Sequence, residues 1–208
     1  MNISQDDNMH EQLRGIKQQL RTMMNGPVSQ SMREKGLTYK LNFGVELPRL
    51  RELADGLPHT YELAAALWKE DIRESHLLAA MLMPTEAFAE DLADLWVEQM
   101  RFTEEAECTV LHLFSRLPYA SALAFRWVSA EQGMFRLCGW LLFSRLFMQG
   151  ARLAPRDENE FLDQVQAELR SADTPAIRRA AHKAILRYMD MGDAENRRGD
   201  AVLDACGL

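Results

Sequence analysis

The chain has 208 residues, 47% of them hydrophobic and 26% charged, with a formal net charge of −7. That composition excludes a disordered chain and is long enough to bury a core. An acidic total also disfavours a protein whose whole surface clings to nucleic acid or anionic lipid, while leaving room for a local basic face.

Taken in chain order, apolar residues recur at helical spacing almost everywhere, and no alternating β-branched run bounded by turn signals stands out. The pattern predicts helices at 8–24, 28–36, 46–55, 59–69, 71–83, 85–100, 104–116, 119–130, 133–149, 157–171, 174–191 and 193–206. Pro48, Pro58, Pro84, Pro118, Pro155 and Pro175 fall at gaps in the pattern, where proline is tolerated at a helix's first turn. The first thirty residues lack the apolar core and small-residue cleavage site of a secretory signal. The most apolar stretch, Leu137–Phe147, is about half the ~20 residues a membrane-spanning helix needs and contains Arg145, so no membrane partner is expected. Cys108, Cys138 and Cys206 show neither CxxC nor zinc-ligand spacing, and a reducing, cytoplasmic setting is the default expectation.

A weak repeat runs through the middle of this series. Trp68, Trp96 and Trp127 lie ten, twelve and nine residues after Pro58, Pro84 and Pro118, and Val165 lies ten after Pro155. Each of these helices is followed by a second one with adjacent small residues near its middle: Ala79-Ala80, Cys108-Thr109, Cys138-Gly139 and Ala180-Ala181. Small side chains let helices approach closely, as stacked two-helix units require. The expected fold is therefore all-α, a HEAT-like α-solenoid within a single domain over 1–208. About four repeats occupy 58–191, with N-terminal helices at 8–55 and a C-terminal helix at 193–206. Proline-to-proline gaps of 26, 34 and 37 residues leave an irregular helical bundle as the alternative.

Two tracts are basic without any acid. Residues 133–156 carry Arg136, Arg145, Arg152 and Arg156; residues 174–189 carry Arg178, Arg179, Lys183 and Arg187. Arg179, Lys183 and Arg187 stand at i, i+4, i+8 and form one stripe opposite an apolar face. Such a stripe suits a phosphate backbone, bound with steep salt dependence and little sequence preference. The competing reading is a solvated face whose basic residues favour the C-terminal end of the helix dipole. The helix at 133–149 is apolar nearly all round and is expected to be buried.

Catalytic signatures are scarce. Glu104, Cys108 and His112 share a helical spacing, but one histidine makes a poor metal site, and no metal or cofactor is expected. His182 reads as a surface residue. There is no glycine-rich phosphate loop and no GxSxG.

The segments "YKLNFGVELPRLREL" (39–53), "LWKEDIRESHLLAAML" (67–82), "FRWVSAEQGMFRLCGWLLFSRLF" (125–147) and "AIRRAAHKAILRY" (176–188) together resemble the DNA alkylation repair family of HEAT-like glycosylases over about 30–191. The resemblance implies an α-solenoid whose concave basic surface holds duplex DNA, and release of N3- or N7-alkylated purines without flipping the base into a deep pocket. Activity in that family goes with an aromatic, an Asp four residues later, an Arg one unit on and a Trp in the next unit. Here Phe102 stands for the aromatic, but Ala106 occupies the Asp position, flanked by Glu105 and Glu107. Arg136 lies two residues before the expected arginine, and Lys183 falls where the Trp belongs. The resemblance thus nominates Phe102 and Glu107 as catalytic, and Arg136, Arg178, Arg179, Lys183 and Arg187 as DNA-binding. The alternative is a catalytically degenerate scaffold that holds DNA or an acidic protein partner.

Overall fold

The computed structural model describes residues 3–171 and 174–208, almost wholly as α-helix. The chain divides into two compact units, Met1–Phe88 and Ala89–Leu208.

The first unit contains α1 (Ile3–Thr22), α2 (Gly26–Glu34), α3 (Leu47–Asp55), α4 (Tyr61–Trp68) and α5 (Arg73–Leu82). Its caps are local: the side chain of Asn25 accepts from Val28 N at the start of α2, and that of Thr60 from Leu63 N at the start of α4. Helices α4 and α5 form an antiparallel pair of the expected kind, and all ten residues of α5 are buried. Two of these ten are charged. Glu74 accepts from the backbone N–H of Phe43 and of Val45, both at 3.1 Å, and from Arg73 at 3.1 Å; Arg73 in turn donates to Val45 O at 2.9 Å. A parallel bridge between Leu41 and Ile72 continues the attachment. The turn needs Gly44, whose φ is +72°: a Cβ there would stand 2.4 Å from Asn25 O. The "FGV" and "RE" segments behind the family resemblance are thus the two halves of one staple.

The second unit contains α6 (Glu90–Gln99), α7 (Thr103–His112), α8 (Ala120–Val128), α9 (Gly133–Met148), α10 (Pro155–Arg170), α11 (Pro175–Met189) and α12 (Asp193–Cys206). The pairs α8/α9 and α10/α11 stack as HEAT-like units, with α7, α9 and α11 side by side in one layer and α6 against α9. Helix α12 covers α10 and α11. The marker residues Trp68, Trp96, Trp127 and Val165 are all buried. So are the small pairs. At Gly139 a Cβ would lie 2.7 Å from Val128 Cγ1 and 2.8 Å from Val128 N, so glycine permits the α8–α9 crossing. Between α9, α10 and α11 the core is aromatic: Phe161 lies 5.0 Å from both Phe143 and Phe147 and 5.4 Å from Tyr188, ring centre to ring centre.

All twelve expected helices are present, with three differences in their ends. The first helix, expected from residue 8, begins at Ile3. The predicted 85–100 helix is a 3-10 turn, Thr85–Ala87, followed by extended Phe88 and Ala89 before α6 begins. The predicted 104–116 helix stops at His112, and a 3-10 turn follows at Phe114–Arg116.

Candidate nucleic-acid interface

Helix α9 has neighbours on most sides, and its own residues map them. Gly139 meets α8; Arg136, Trp140 and Phe143 meet α10; Gly133 faces Ile177 of α11, with Phe147 against Tyr188 further along; Cys138 Sγ reaches Met100 at the entry to α7. At about 100° per residue, one strip is left between α7 and α11. It holds Met134, Leu141, Arg145 and Met148, of which Met148 is 53% exposed and the others half-buried.

Helices α9 and α11 run parallel, because Gly133 meets Ile177 at their N-terminal ends and Phe147 meets Tyr188 at their C-terminal ends. The open side of the layer therefore lies about a quarter turn from the line joining them in both helices. On α11 that rotation falls on Arg187; Lys183 lies about 40° further round the helix and Arg179 about 40° beyond that, nearly opposite α9. The predicted stripe exists, and its Arg187 edge faces the same way as Arg145.

The other nominated cations point elsewhere. Arg136 projects roughly 150° from the centre of the α9 strip. Its Nε is 3.3 Å from Glu168 Oε2 on α10, and its guanidinium donates to Glu131 O at 3.0 Å. Glu168 is buried and also accepts from Trp140 Nε1 at 3.1 Å. A carboxylate on a neighbouring helix thus draws Arg136 inward, away from the groove expected for it. Arg178 lies on the α12 side of α11, where it lines a hollow of about 510 Å³ with His182, Leu169, Pro175, Arg179 and Leu208.

The cations of the two basic tracts differ in their pairing. Arg187 pairs with Asp190 at 2.9 Å and Arg152 with Glu195 at 2.6 Å. Arg145, Arg178, Arg179 and Lys183 form no ion pair among the described residues. The layers also differ in charge. Helices α9 and α11 contain no acidic residue, whereas α6 carries Glu90, Asp91, Asp94 and Glu98, and α10 carries Asp157, Glu158, Glu160, Asp163 and Glu168. On the α6 layer the acids are partly neutralised internally: Arg126 of α8 binds Glu90 at 2.7 Å and Asp94 at 2.9 Å, and Trp127 Nε1 donates to Asp94 at 2.7 Å.

The nominated catalytic residues sit at the start of α7. Phe102 is the half-buried N-cap residue, with the Arg101 guanidinium 5.4 Å from its ring centre. Glu105 is 1% exposed and accepts from the backbone N–H of Arg101 at 2.7 Å and of Phe102 at 3.0 Å. It caps the helix. Ala106 is fully buried. Glu107 is turned about 100° from it, onto the solvent strip of α7 that includes Thr103, and has no hydrogen-bond or ion-pair partner among the described residues. No group of three His, Cys, Asp or Glu among the described residues is placed to hold a metal ion.

Two titratable groups are strongly perturbed: burial pushes the Cys138 thiol well above its ordinary range, and Tyr188 is the other. Burial pushes the Tyr188 phenol above its ordinary range, and its hydrogen bond to Glu158 adds to the shift. Glu158 also pairs with Arg198 of α12, so this contact ties α10, α11 and α12 together.

Sequence reasoning counted Arg145 in a basic tract but not as a site residue, because α9 is apolar nearly all round. The available signal was the spacing of Met134, Leu141 and Met148 at i, i+7, i+14, a strip that recurs on one face.

Stacked helix pairs, two of whose neighbouring helices are basic without any acid, define a HEAT-like helical-repeat protein. The family model described as DNA alkylation repair enzyme matches residues 16–188, and the chain belongs to that family. Among solved structures, the chain is similar to one described as belonging to "a new family of proteins related to the HEAT-like repeat DNA glycosylases with affinity for branched DNA structures", with a TM-score of 0.80. Identity to it is 14%, over 92% of this chain and 81% of that one, a likeness of fold. No curated protein matches the sequence. No helix among the described residues is long and apolar enough to cross a membrane.

Proposed function

We propose that the protein binds DNA through the open side of the α9–α11 layer, with Arg179, Lys183 and Arg187 on the phosphates, and that it does so without excising bases. The observation that supports binding is charge segregation by helix: α9 and α11 have no acid, and the exposed cations Arg179 and Lys183 of α11 are unspent on ion pairs among the described residues. Phosphate contacts of this kind give affinity that falls steeply with salt. The affinity for branched DNA described for the structural relative's family supports a branched rather than simple duplex target.

Excision needs a carboxylate aimed at the charge that grows on the sugar as the base departs. The position nominated for it is Ala106, buried and without a polar atom, while Glu107 points roughly 100° away. The test has two parts. Wild-type protein is expected to bind DNA at low salt, and Arg179→Glu with Lys183→Glu to abolish it; failure of wild type to bind at low salt overturns the reading. Incubation of stoichiometric protein with methylated DNA is expected to release no free alkylated base. Release that disappears in Glu107→Gln would instead make this an enzyme.

A further inference from the structure

The α9 strip is chemically unlike the stripe beside it. Phosphates are met by Arg179, Lys183 and Arg187 on α11, yet the neighbouring open surface is three long apolar side chains, Met134, Leu141 and Met148, around a single arginine. An intact duplex offers a charged, hydrated backbone to such a surface, and its base faces are hidden by stacking. Unpaired nucleotides expose those faces. A guanidinium plane stacks on a nucleobase, and thioether and leucine side chains pack against it, with little regard for which base it is.

Arg145 is held for that role. Its Nε is enclosed and has no hydrogen-bond partner, and the side chain forms no ion pair among the described residues, so no carboxylate draws it away as Glu168 draws Arg136. Its helix contains no acid at all. The strip shares its open side with Arg187 of α11, and Lys183 follows it around that helix, so a strand whose phosphates lie on these two cations brings its bases toward α9.

We infer that Met134, Leu141, Arg145 and Met148 form a seat for an unstacked nucleobase, and that the protein's substrate class is DNA with unpaired nucleotides. This rests on the proposed DNA binding and names what that site prefers. Arg145 acts here as a planar surface as well as a charge, so lysine is no substitute for it.

The experiment compares binding, by fluorescence anisotropy, to a fully paired duplex and to the same duplex carrying a short thymine gap. Wild type is expected to favour the gapped DNA. Arg145→Ala and Arg145→Lys are both expected to lose roughly ten-fold on gapped DNA while changing duplex binding by less than about three-fold. Met148→Ser, at an exposed position that the core does not need, is expected to lose gap preference with thermal stability unchanged. Three outcomes overturn the inference: equal losses on both DNAs, full retention of gap preference by Arg145→Lys, or no preference in wild type. A wild type that binds neither DNA overturns the proposed function itself, and is told apart because the Arg179→Glu and Lys183→Glu protein then behaves no differently.

Discussion

At the scale of single residues, the chain's buried charges are structural. Glu74 is wholly enclosed and takes hydrogen bonds from two backbone N–H groups and Arg73. Removing it leaves Arg73 charged, buried and short of a partner, and orphans two amides of the 43–45 turn. Glu74→Ala is therefore expected to cost about 3–5 kcal/mol of stability, measured by urea unfolding, because breaking a buried pair from one side exposes the full desolvation cost of the other. Tyr188 gives a pH signature. Its pKa in the folded protein is raised above the ordinary 10.0, by burial first and then by Glu158, so the fold favours the protonated phenol. That preference is fully expressed below pH 10 and is lost as pH rises through the folded value. Thermal stability is thus expected to fall above about pH 10, and Tyr188→Phe to flatten that fall.

At the scale of elements, side-chain size sets how closely the pairs approach. The contact of Gly139 with Val128 leaves no room for a methyl group between α8 and α9, since one of the atoms in the way is backbone. Gly139→Ala is expected to destabilise by about 1–3 kcal/mol through overpacking, against any gain in helix propensity, as read from the denaturation midpoint. Helix α11 divides its cations between two faces. Lys183→Glu is expected to weaken DNA binding far more than Arg178→Glu, which lies on the α12 side in a hollow that Arg179 also lines. Equal effects from the two in the same titration would mean that the orientation of α11 does not govern binding.

At the scale of the whole molecule, an acidic protein of net charge −7 has two neighbouring helices, α9 and α11, that carry cations and no acid. With three to four phosphates neutralised, log K is expected to fall against log salt with a slope of about −3 to −4 for duplex, so binding weakens sharply between roughly 50 and 200 mM salt. A much shallower slope would transfer the interaction from phosphates to the apolar strip. The repulsion of DNA by the acids on α6 and α10 adds direction: those layers face away from a bound backbone if the α9–α11 side carries it.

Much of this was already legible in the linear order of residues. Helical periodicity, prolines at first turns and recurring Trp and small-residue positions are local or nearest-neighbour properties, so they determined twelve helices, their pairing and the burial of Trp68, Trp96 and Trp127. The stripe Arg179, Lys183, Arg187 followed from the helical repeat alone. What spacing could not supply is which partner claims a charged group. Arg136 sits in a tract without acids, yet Glu168 reaches it from a neighbouring helix and turns it inward, while Arg145, in the same helix and seemingly interior, is left on the open strip. A residue's angle about its own helix is written in the sequence; the side on which neighbouring helices leave a gap is set only when they pack, and that gap decides which cations are free to meet another molecule.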